Sequence, residues 1–573
     1  MLRFLSNPQA KSPNTAASRG LDSSSKHSHI GDAAIKELEA NHGEYKDKLW
    51  ATTTGKVVGE IQHSPMGMWD QLNDPCDGHT DWLPETYADL LSKTEVWCDF
   101  LSLSPPDGMF LEKIKASLAH LAEKSKVSGN KIVVRFLFGN ITAVPVNCDA
   151  VLEYFTEGLS AADTNLEIWV GAWRKEMCWN HAKIVAVDGK HVYTGGHNLW
   201  DAVYLRKDPI HDTSIQLEGP VAIQAHQYAN EQWEYIKEQQ SSLKGWIVEK
   251  IYDGLALSIR SRVTISEWPQ QRRQHDSYLD NFVIWLRGTA TNVPLFNKDD
   301  LPSSTDNECG TDEIKVLALG RCGKIRGNDD KCADDAFIAM FDAAQNSIRL
   351  LLQDLGPVNK TVLGKKLVYK SWPKNYMKAL ARAIFARGVD VEIILSNIGS
   401  GEERGKYSHG WSCEETAAEI MKTMSEEYPE ATEKQIKEKL INNLRICFIK
   451  NKRGDTWETN NKVGLHSKFF IIDDVCTYVG SQNLYQFDLA EWGVVIDDKP
   501  KTTEILQQLW NPVWNHSYLD GSDCDAEKVM DILCVDRGPN SSLGEEDLAA
   551  MESELDVQTM KKTKFFFSGD RAR

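Results

Sequence analysis

The sequence contains no apolar run approaching the roughly 18–20 residues that span a bilayer. Its longest candidates, such as Ile132 to Phe138, interrupted by Arg135, and Phe469 to Ile472, are short, which excludes an integral helical membrane protein. Nor is there the apolar core of about 7–15 residues that defines a secretory signal. The start, Met1-Leu-Arg-Phe-Leu-Ser-Asn-Pro8, has a single basic residue. Residues 1–21 hold Arg3, Lys11 and Arg19, several Ser and no acid, a faint organellar-presequence pattern that an ordinary polar tail accounts for equally well. The 12 Cys form no CxxC pair, so they read as buried small hydrophobes rather than a disulfide framework. A surplus of positive charge is missing too: 65 Lys+Arg stand against 83 Asp+Glu, a net charge of −18. Broad electrostatic capture of nucleic acid or anionic membrane lacks the field it needs. The expected location is the cytoplasm or the periphery of a membrane, with non-classical export and organellar targeting left open.

What is present is an ordinary acidic globular composition, 41% hydrophobic and 26% charged over 573 residues, long enough for two to four domains at about 150 residues each. Segment 1–45 reads as an N-terminal tail and 536–573 as a C-terminal one, ending in Lys561-Lys-Thr-Lys-Phe-Phe-Phe567. That ending has the basic–aromatic character of a membrane-surface anchor, although a disordered or packed tail gives the same composition. His27, His29 and Asp32 lie in the first tail without a scaffold to hold a metal, so no metal site is expected. The stretch 296–312, with Lys298-Asp-Asp300 and Pro302-Ser-Ser304, reads as a linker between two bodies, 46–295 and 313–535.

The two bodies repeat one order of elements. In the first, strands over Glu95–Leu103, Lys131–Gly139 and Leu166–Trp173 surround a helix over Leu111–Lys124. They lead to Asn180-His-Ala-Lys-Ile-Val-Ala-Val-Asp188 and Tyr193-Thr-Gly-Gly-His-Asn198. In the second, strands over Ser347–Leu355, Val389–Asn397 and Leu444–Lys450 and a helix over Tyr376–Arg387 lead to Leu465-His-Ser-Lys-Phe-Phe-Ile-Ile-Asp473 and Tyr478-Val-Gly-Ser-Gln-Asn483. Alternating apolar strands and helices imply a duplicated α/β/α sandwich with mixed sheets, its halves related by a pseudo-twofold and sharing one active site at the seam.

Each half holds His-x-Lys followed by an Asp: His181, Lys183 and Asp188, then His466, Lys468 and Asp473, the two histidines 285 residues apart. On a strand, residues two apart share a face, so each His projects beside its Lys while the Asp points away. Asp188-Gly189 and Asp473-Asp474 fall where a hairpin turns, which gives both Asp residues a structural role in holding loop backbone. Paired imidazoles suit metal-free phosphodiester exchange: one attacks phosphorus and the other, protonated, delivers a proton to the leaving alkoxide. Lys183, Lys468, Asn198 and Asn483 supply charge and donors to the non-bridging oxygens. A carboxylate follows each motif, Asp212 after His181 and Glu491 after His466, and each is suited to accept a ring N–H and fix a tautomer.

These duplicated motifs resemble the phospholipase D superfamily, and the flanking strings resemble its compact two-motif bacterial members, typified by actinomycete enzymes. The strings are Trp179-Asn-His-Ala-Lys183, Thr194-Gly-Gly-His-Asn-Leu-Trp200, Pro209-Ile-His-Asp212, Glu218-Gly-Pro220, Gln353-Asp-Leu355, Tyr478-Val-Gly-Ser-Gln-Asn-Leu-Tyr485 and Trp510-Asn-Pro-Val-Trp514. The likeness covers roughly residues 48–520. It implies His181 as nucleophile, His466 as acid and later base, and Asp212 and Glu491 as their orienting partners. It further implies Trp200, Tyr204 and Tyr407 as aromatic contacts for a quaternary ammonium headgroup, with Tyr407 in the glycine-containing loop Gly399–Trp411. The expected activity is hydrolysis of phosphatidylcholine-type glycerophospholipids to phosphatidic acid and free headgroup, with transphosphatidylation to alcohols. The expected enzyme is a monomer without cofactor or metal, meeting its lipid at a membrane or micelle surface. The rival reading is a nuclease or other phosphodiesterase of the same superfamily, which the acidic charge disfavours; a catalytically dead lipid-binding protein would need a broken motif.

Overall fold

A computed structural model describes residues 27–69, 82–141, 145–205, 208–241, 262–269, 292–301, 312–326, 331–362, 365–369, 372–400, 407–485 and 487–518. Nineteen strands are seen among the described residues. In the first half they are β1 (Trp50–Val57), β2 (Gln62–Ser64), β3 (Trp97–Ser102), β4 (Ile132–Gly139), β5 (Leu166–Lys175), β6 (Cys178–Trp179), β7 (Ile184–Val187), β8 (His191–Gly195), β9 (Asp212–Glu218) and β10 (Arg262–Trp268). The second half holds β11 (Ile314–Cys322), β12 (Ser347–Leu352), the hairpin β13 (Val358–Val362) and β14 (Lys365–Tyr369), then β15 (Asp390–Leu395), β16 (Leu444–Phe448), β17 (Lys468–Ile472), β18 (Cys476–Gly480) and β19 (Ala490–Ile496).

Pairing follows one plan twice. β3, β4 and β5 run parallel, β7 joins β3 antiparallel, and β8 and β9 continue outward. In the second half β12, β15 and β16 run parallel, β17 joins β12 antiparallel, and β18 and β19 continue. β1 joins the halves into one extended mixed sheet, pairing with β11 over Trp50 to Gly55 and with β9 at Lys56 and Val57. β3 (WCDFLS) and β4 (IVVRFLFG) are buried along their whole length, as parallel strands covered on both faces must be; hence their largely apolar sequences, whose charged members Asp99 and Arg135 are paired with each other. The duplicated mixed α/β architecture read from the sequence is thus the one observed.

Helices cover both faces. Gly108–Ser128 and Trp82–Ser92 pack on each other in the first half, Cys332–Ala343 and Lys374–Arg382 in the second. Helix Val221–Ser241 lies against β7 and β11 together and so bridges the halves with buried Val221, Tyr228 and Trp233. The helix Glu433–Asn443 lies on the outside and buries only Ile436 and Leu440.

Two tail and linker expectations need correcting. Residues His29–Asn41 form a helix that buries Ile30, Ala34 and Leu38 and packs on Cys332–Ala343. Its Ser28 cap donates to Asp497 through the backbone, while His27 and His29 pair with Asp497 and Asp473 at 2.7 and 2.8 Å. Likewise the linker's first residue, Phe296, belongs to the core: it stacks on His226, and its backbone exchanges two hydrogen bonds with Asn230. Asn230 in turn accepts from the buried Arg135, which is paired with Asp99. The tail 536–573, its Lys/Phe ending and the loop's 401–406 lie outside the described residues. No helix among the described residues is long and apolar enough to cross a membrane.

Candidate active site

The site forms where the two halves meet. Two isolated parallel bridges, Asn180↔Ala490 and His211↔Leu465, cross the seam. The first is reinforced by His181 N donating to Ala490 O at 2.8 Å, the second by His466 N donating to His211 O at 2.7 Å. Each motif histidine is thereby laid beside the start of the strand that carries the other half's carboxylate. His181 Nδ1 lies 2.9 Å from Glu491 Oε1, and His466 Nδ1 lies 2.7 Å from Asp212 Oδ2. The carboxylate that follows each motif in sequence therefore serves the opposite histidine. Asp212 is held below the usual carboxylate range, whereas burial raises Glu491 to about 7 against the pull of Arg321; in its ionised form each carboxylate only accepts, so Nδ1 then carries the proton and Nε2 is left for substrate.

His181 and Lys183 sit between β6 and β7 rather than within a strand, and Lys468 opens β17. Both lysines curl back onto their own motif: Lys183 Nζ donates to His181 O at 2.7 Å, and Lys468 Nζ to His466 O. His181 and His466 are each only 5% exposed, and both lysines are buried. Burial, aided by Lys468, pulls Lys183 well below its ordinary range. Lys468 is lowered to about 7 by burial, against the pull of Asp212 and Glu491. Burial likewise lowers both imidazoles, with the lysines adding repulsion; His466 falls to about 4 and His181 lies well below its usual value. Two buried lysines and two imidazoles share only the carboxylates Asp212 and Glu491 among the described contacts, so the site is short of negative charge, which a phosphodiester anion supplies.

Asn198 and Asn483 follow β8 and β18. Asn198 is wholly buried, and neither side-chain Nδ2 nor Oδ1 has a protein partner. Asn483 Nδ2 donates to Tyr485 OH at 2.9 Å, while its Oδ1 has none. Gly196 is required beneath this turn, since a Cβ there would fall 1.9 Å from Asp212 Oδ1.

The motif aspartates stand away from the chemistry. Asp188 and Gly189 have φ of 52° and 63°, Asp473 and Asp474 of 50° and 56°, the consecutive positive values of a I′-type hairpin turn. Asp188 accepts from the backbone N–H groups of Glu95, Val96 and Trp97 at 2.7–2.9 Å. Asp473 accepts from those of Gln345, Asn346 and Ser347 at 2.7–2.9 Å. Each ties its hairpin to the start of the central strand.

The aromatic candidates separate. Tyr407 packs edge-on to His466 with ring centroids 5.2 Å apart, and Trp200 is partly exposed, its Nε1 donating to Ser104 Oγ at 2.6 Å. Tyr204 differs from the headgroup contact expected: it is fully buried, donates to Asp212 Oδ2 at 2.8 Å and accepts from Asn198 N at 3.2 Å. It holds the carboxylate that holds His466. Sequence reasoning also passed over Arg321, whose Nη2 donates to Glu491 Oε2 at 2.5 Å; the one signal was a cation after the apolar run Val316–Leu319 of its strand.

Segment 338–514 matches a family described as cardiolipin synthase, PLD-like domain. A phospholipase D of Streptomyces antibioticus is 23% identical over 521 residues, covering 85% of this chain and 87% of that protein. The second half thus carries a PLD-like domain. Among solved structures, phosphatidylserine synthase of Haemophilus influenzae is similar at a TM-score of 0.44 and 12% identity, covering 92% of this chain and 99% of that one. Nuc of Salmonella typhimurium, a phospholipase D family member, is similar at a TM-score of 0.19 and 19% identity, covering 32% and 86%. In this chain the paired motifs are the residues that the fold gathers at the seam.

Proposed function

We propose that the protein is a phospholipase D acting on phosphatidylcholine-type glycerophospholipids. The reading rests above all on one observation: two imidazoles, each with Nδ1 fixed by a carboxylate of the opposite half, share a buried cleft with two lysines and two asparagines. His181 Nε2 attacks phosphorus, and the P–O bond to the headgroup breaks as His466 donates its proton to the departing alkoxide. The product is phosphatidyl-His181 and free headgroup. His466, now neutral, takes a proton from water, whose oxygen attacks phosphorus and expels His181 to give phosphatidic acid. Lys183, Lys468, Asn198 and Asn483 hold the non-bridging oxygens as charge builds there. Asp212, Glu491 and Tyr204 orient the histidines. Trp200 and Tyr407 offer aromatic faces to an ammonium headgroup. No cofactor takes part in this scheme, which one chain completes.

Lipid as substrate is supported by the likeness to the Streptomyces enzyme along most of the chain and by the net charge of −18, unsuited to polynucleotides. A second reading, transfer of the phosphatidyl group to a lipid alcohol, is favoured by the family model matched over 338–514; it differs only in what attacks the intermediate. The test is incubation with phosphatidylcholine vesicles and ethanol. Choline and phosphatidylethanol are expected. Release of phosphatidyl products only with a glycerol-type acceptor would favour the transferase, and cleavage of a DNA or RNA oligonucleotide with no lipid product would overturn the lipid assignment.

A further inference from the structure

The two imidazole–carboxylate pairs, one with Glu491 and one with Asp212, differ in what stands behind the carboxylate. β2 and β9 set Ser64 opposite Asp212, whereas β11 and β19 set Arg321 opposite Glu491. Asp212 rests on neutral donors, Tyr204 OH at 2.8 Å and Thr213 N at 2.9 Å. Ser64 turns its hydroxyl to Ile210 O and His197 Nε2 instead. Behind Glu491 stands a buried cation: Arg321 places Nη2 and Nε at 2.5 and 3.2 Å from Oε2. The same guanidinium gives Nη1 to both oxygens of Asp334 at 2.8 and 2.9 Å and Nη2 to Phe487 O at 2.7 Å. Asp334 is fixed in turn by Tyr376 OH at 2.5 Å and by Gln482 Nε2 at 3.1 Å, beside Asn483.

We propose, on the reading of the site given above, that Arg321 is the positioning residue that makes the two histidines unequal: its charge behind Glu491 keeps His181 unprotonated and free to attack, leaving His466 to carry the proton.

The other charges cannot make this distinction. Lys183 and Lys468 face both imidazoles, and His466 and His181 face each other. Arg321 bears on His181 and Glu491, and Asp334 bears on Glu491 and moderates the cation. Tyr376 faces Arg321 and Asp334, and Tyr478 and Tyr485 face Glu491; burial lifts all three phenols above their usual range, so they stay neutral. On the other side His466 meets the edge of Tyr407 and bonds Asp212, which His466, His197 and Lys468 hold below the usual carboxylate range against its burial.

The test is an NMR titration of the ¹⁵N-labelled imidazoles in the full chain saturated with inorganic phosphate, with His181→Gln and His466→Gln for assignment. In the wild type, His466 takes up its proton at higher pH than His181. In Arg321→Met the His181 midpoint rises by about one pH unit, the effect of removing one partly compensated charge behind a shared carboxylate, while that of His466 moves less. Arg321→Lys restores most of the difference, and Asp334→Asn lowers the His181 midpoint. The acid limb of the kcat–pH profile follows the His181 midpoint. Equal midpoints in the wild type, or equal movement of both in Arg321→Met, would overturn the proposal. Should Arg321→Met not fold, an unmoved or raised His181 midpoint in Asp334→Asn would do so. Because the titration needs no turnover, an enzyme inert on lipids would sink the phospholipase reading alone, and normal turnover without the asymmetry would sink this one alone.

Discussion

Replacing Asp188 with Ala tests whether the third residue of the motif builds the site or works in it. The carboxylate accepts three backbone N–H bonds from residues 95–97, and one of the three lies at an exposed edge. Hydrogen bonds to a charged group contribute about 1.5–3 kcal/mol each, and the exposed one is worth less. Ala at a φ of 52° adds up to about 1 kcal/mol of left-handed strain that Asp tolerates better. The sum, discounted for rehydration of the freed N–H groups, is a destabilisation of about 4 kcal/mol, and Asp188→Asn, which keeps one acceptor oxygen, should lose about half of that. Urea denaturation followed by tryptophan fluorescence reads the loss, and turnover measured well below the transition reads the chemistry. Turnover per folded molecule should stay within a few-fold of the wild type. A variant of unchanged stability that has lost its turnover would refute this reasoning and make the aspartate catalytic. The companion Asp473→Ala adds a pH signature. Although burial opposes ionisation, the N–H groups of Ser347, Gln345 and Asn346 hold the Asp473 carboxyl below its usual range. Its stabilisation is therefore full above the unfolded-chain value and drains away as pH falls through the folded one, so the difference from wild type shrinks below about pH 4.

Three further outcomes are expected. His181→Ala and His466→Ala should each lower turnover by at least about 10³-fold without altering the circular dichroism spectrum; with a phenolate-type leaving group, which needs no proton, His466→Ala should trap a phosphorylated His181 visible by mass spectrometry, and an adduct on residue 466 would reverse the roles. Asn198→Ala should leave the free protein equally or more stable, by up to about 1–2 kcal/mol, because two buried polar atoms without partners disappear, yet reduce turnover about 10²-fold; a clear loss of stability in thermal denaturation would contradict the ligand-facing placement. Since Lys468 is lowered to about 7, it is largely neutral at pH 8, and an arriving phosphate anion should restore its proton: calorimetry in buffers of different ionisation enthalpy should show proton uptake on phosphate binding, diminished in Lys468→Met.

The strand order and the motif pairs were legible because largely apolar, β-branched stretches such as Ile132 to Phe138 must be buried on both faces, and because the repeat displays the same residues twice. The cross-pairing of His181 with Glu491 and His466 with Asp212 was not, since it depends on two single-residue bridges across the seam that leave no periodic trace. Tyr204 shows a similar limit: its place in the string after Asn198 suits a ligand contact, but the short turn at Asp201–Tyr204 folds it inward onto Asp212. Helix His29–Asn41 could have been read from Ile30, Ala34 and Leu38 at helical spacing, had the polar residues around them not diluted the signal. Arg321 was hidden for a more general reason, because a charged residue in a strand shows its partner only once the neighbouring strand is known.

The covalent joining of the halves has a consequence for symmetry. Were the site assembled from two identical chains about a true twofold axis, the residue opposite each orienting carboxylate would have to be the same, and the two imidazoles would start the reaction chemically identical, with the roles of attacker and proton carrier assigned only by the direction in which substrate enters. In one continuous chain the two positions are encoded separately. Serine can stand at 64 and arginine at 321, and the direction of the reaction can be written into the protein before any substrate arrives.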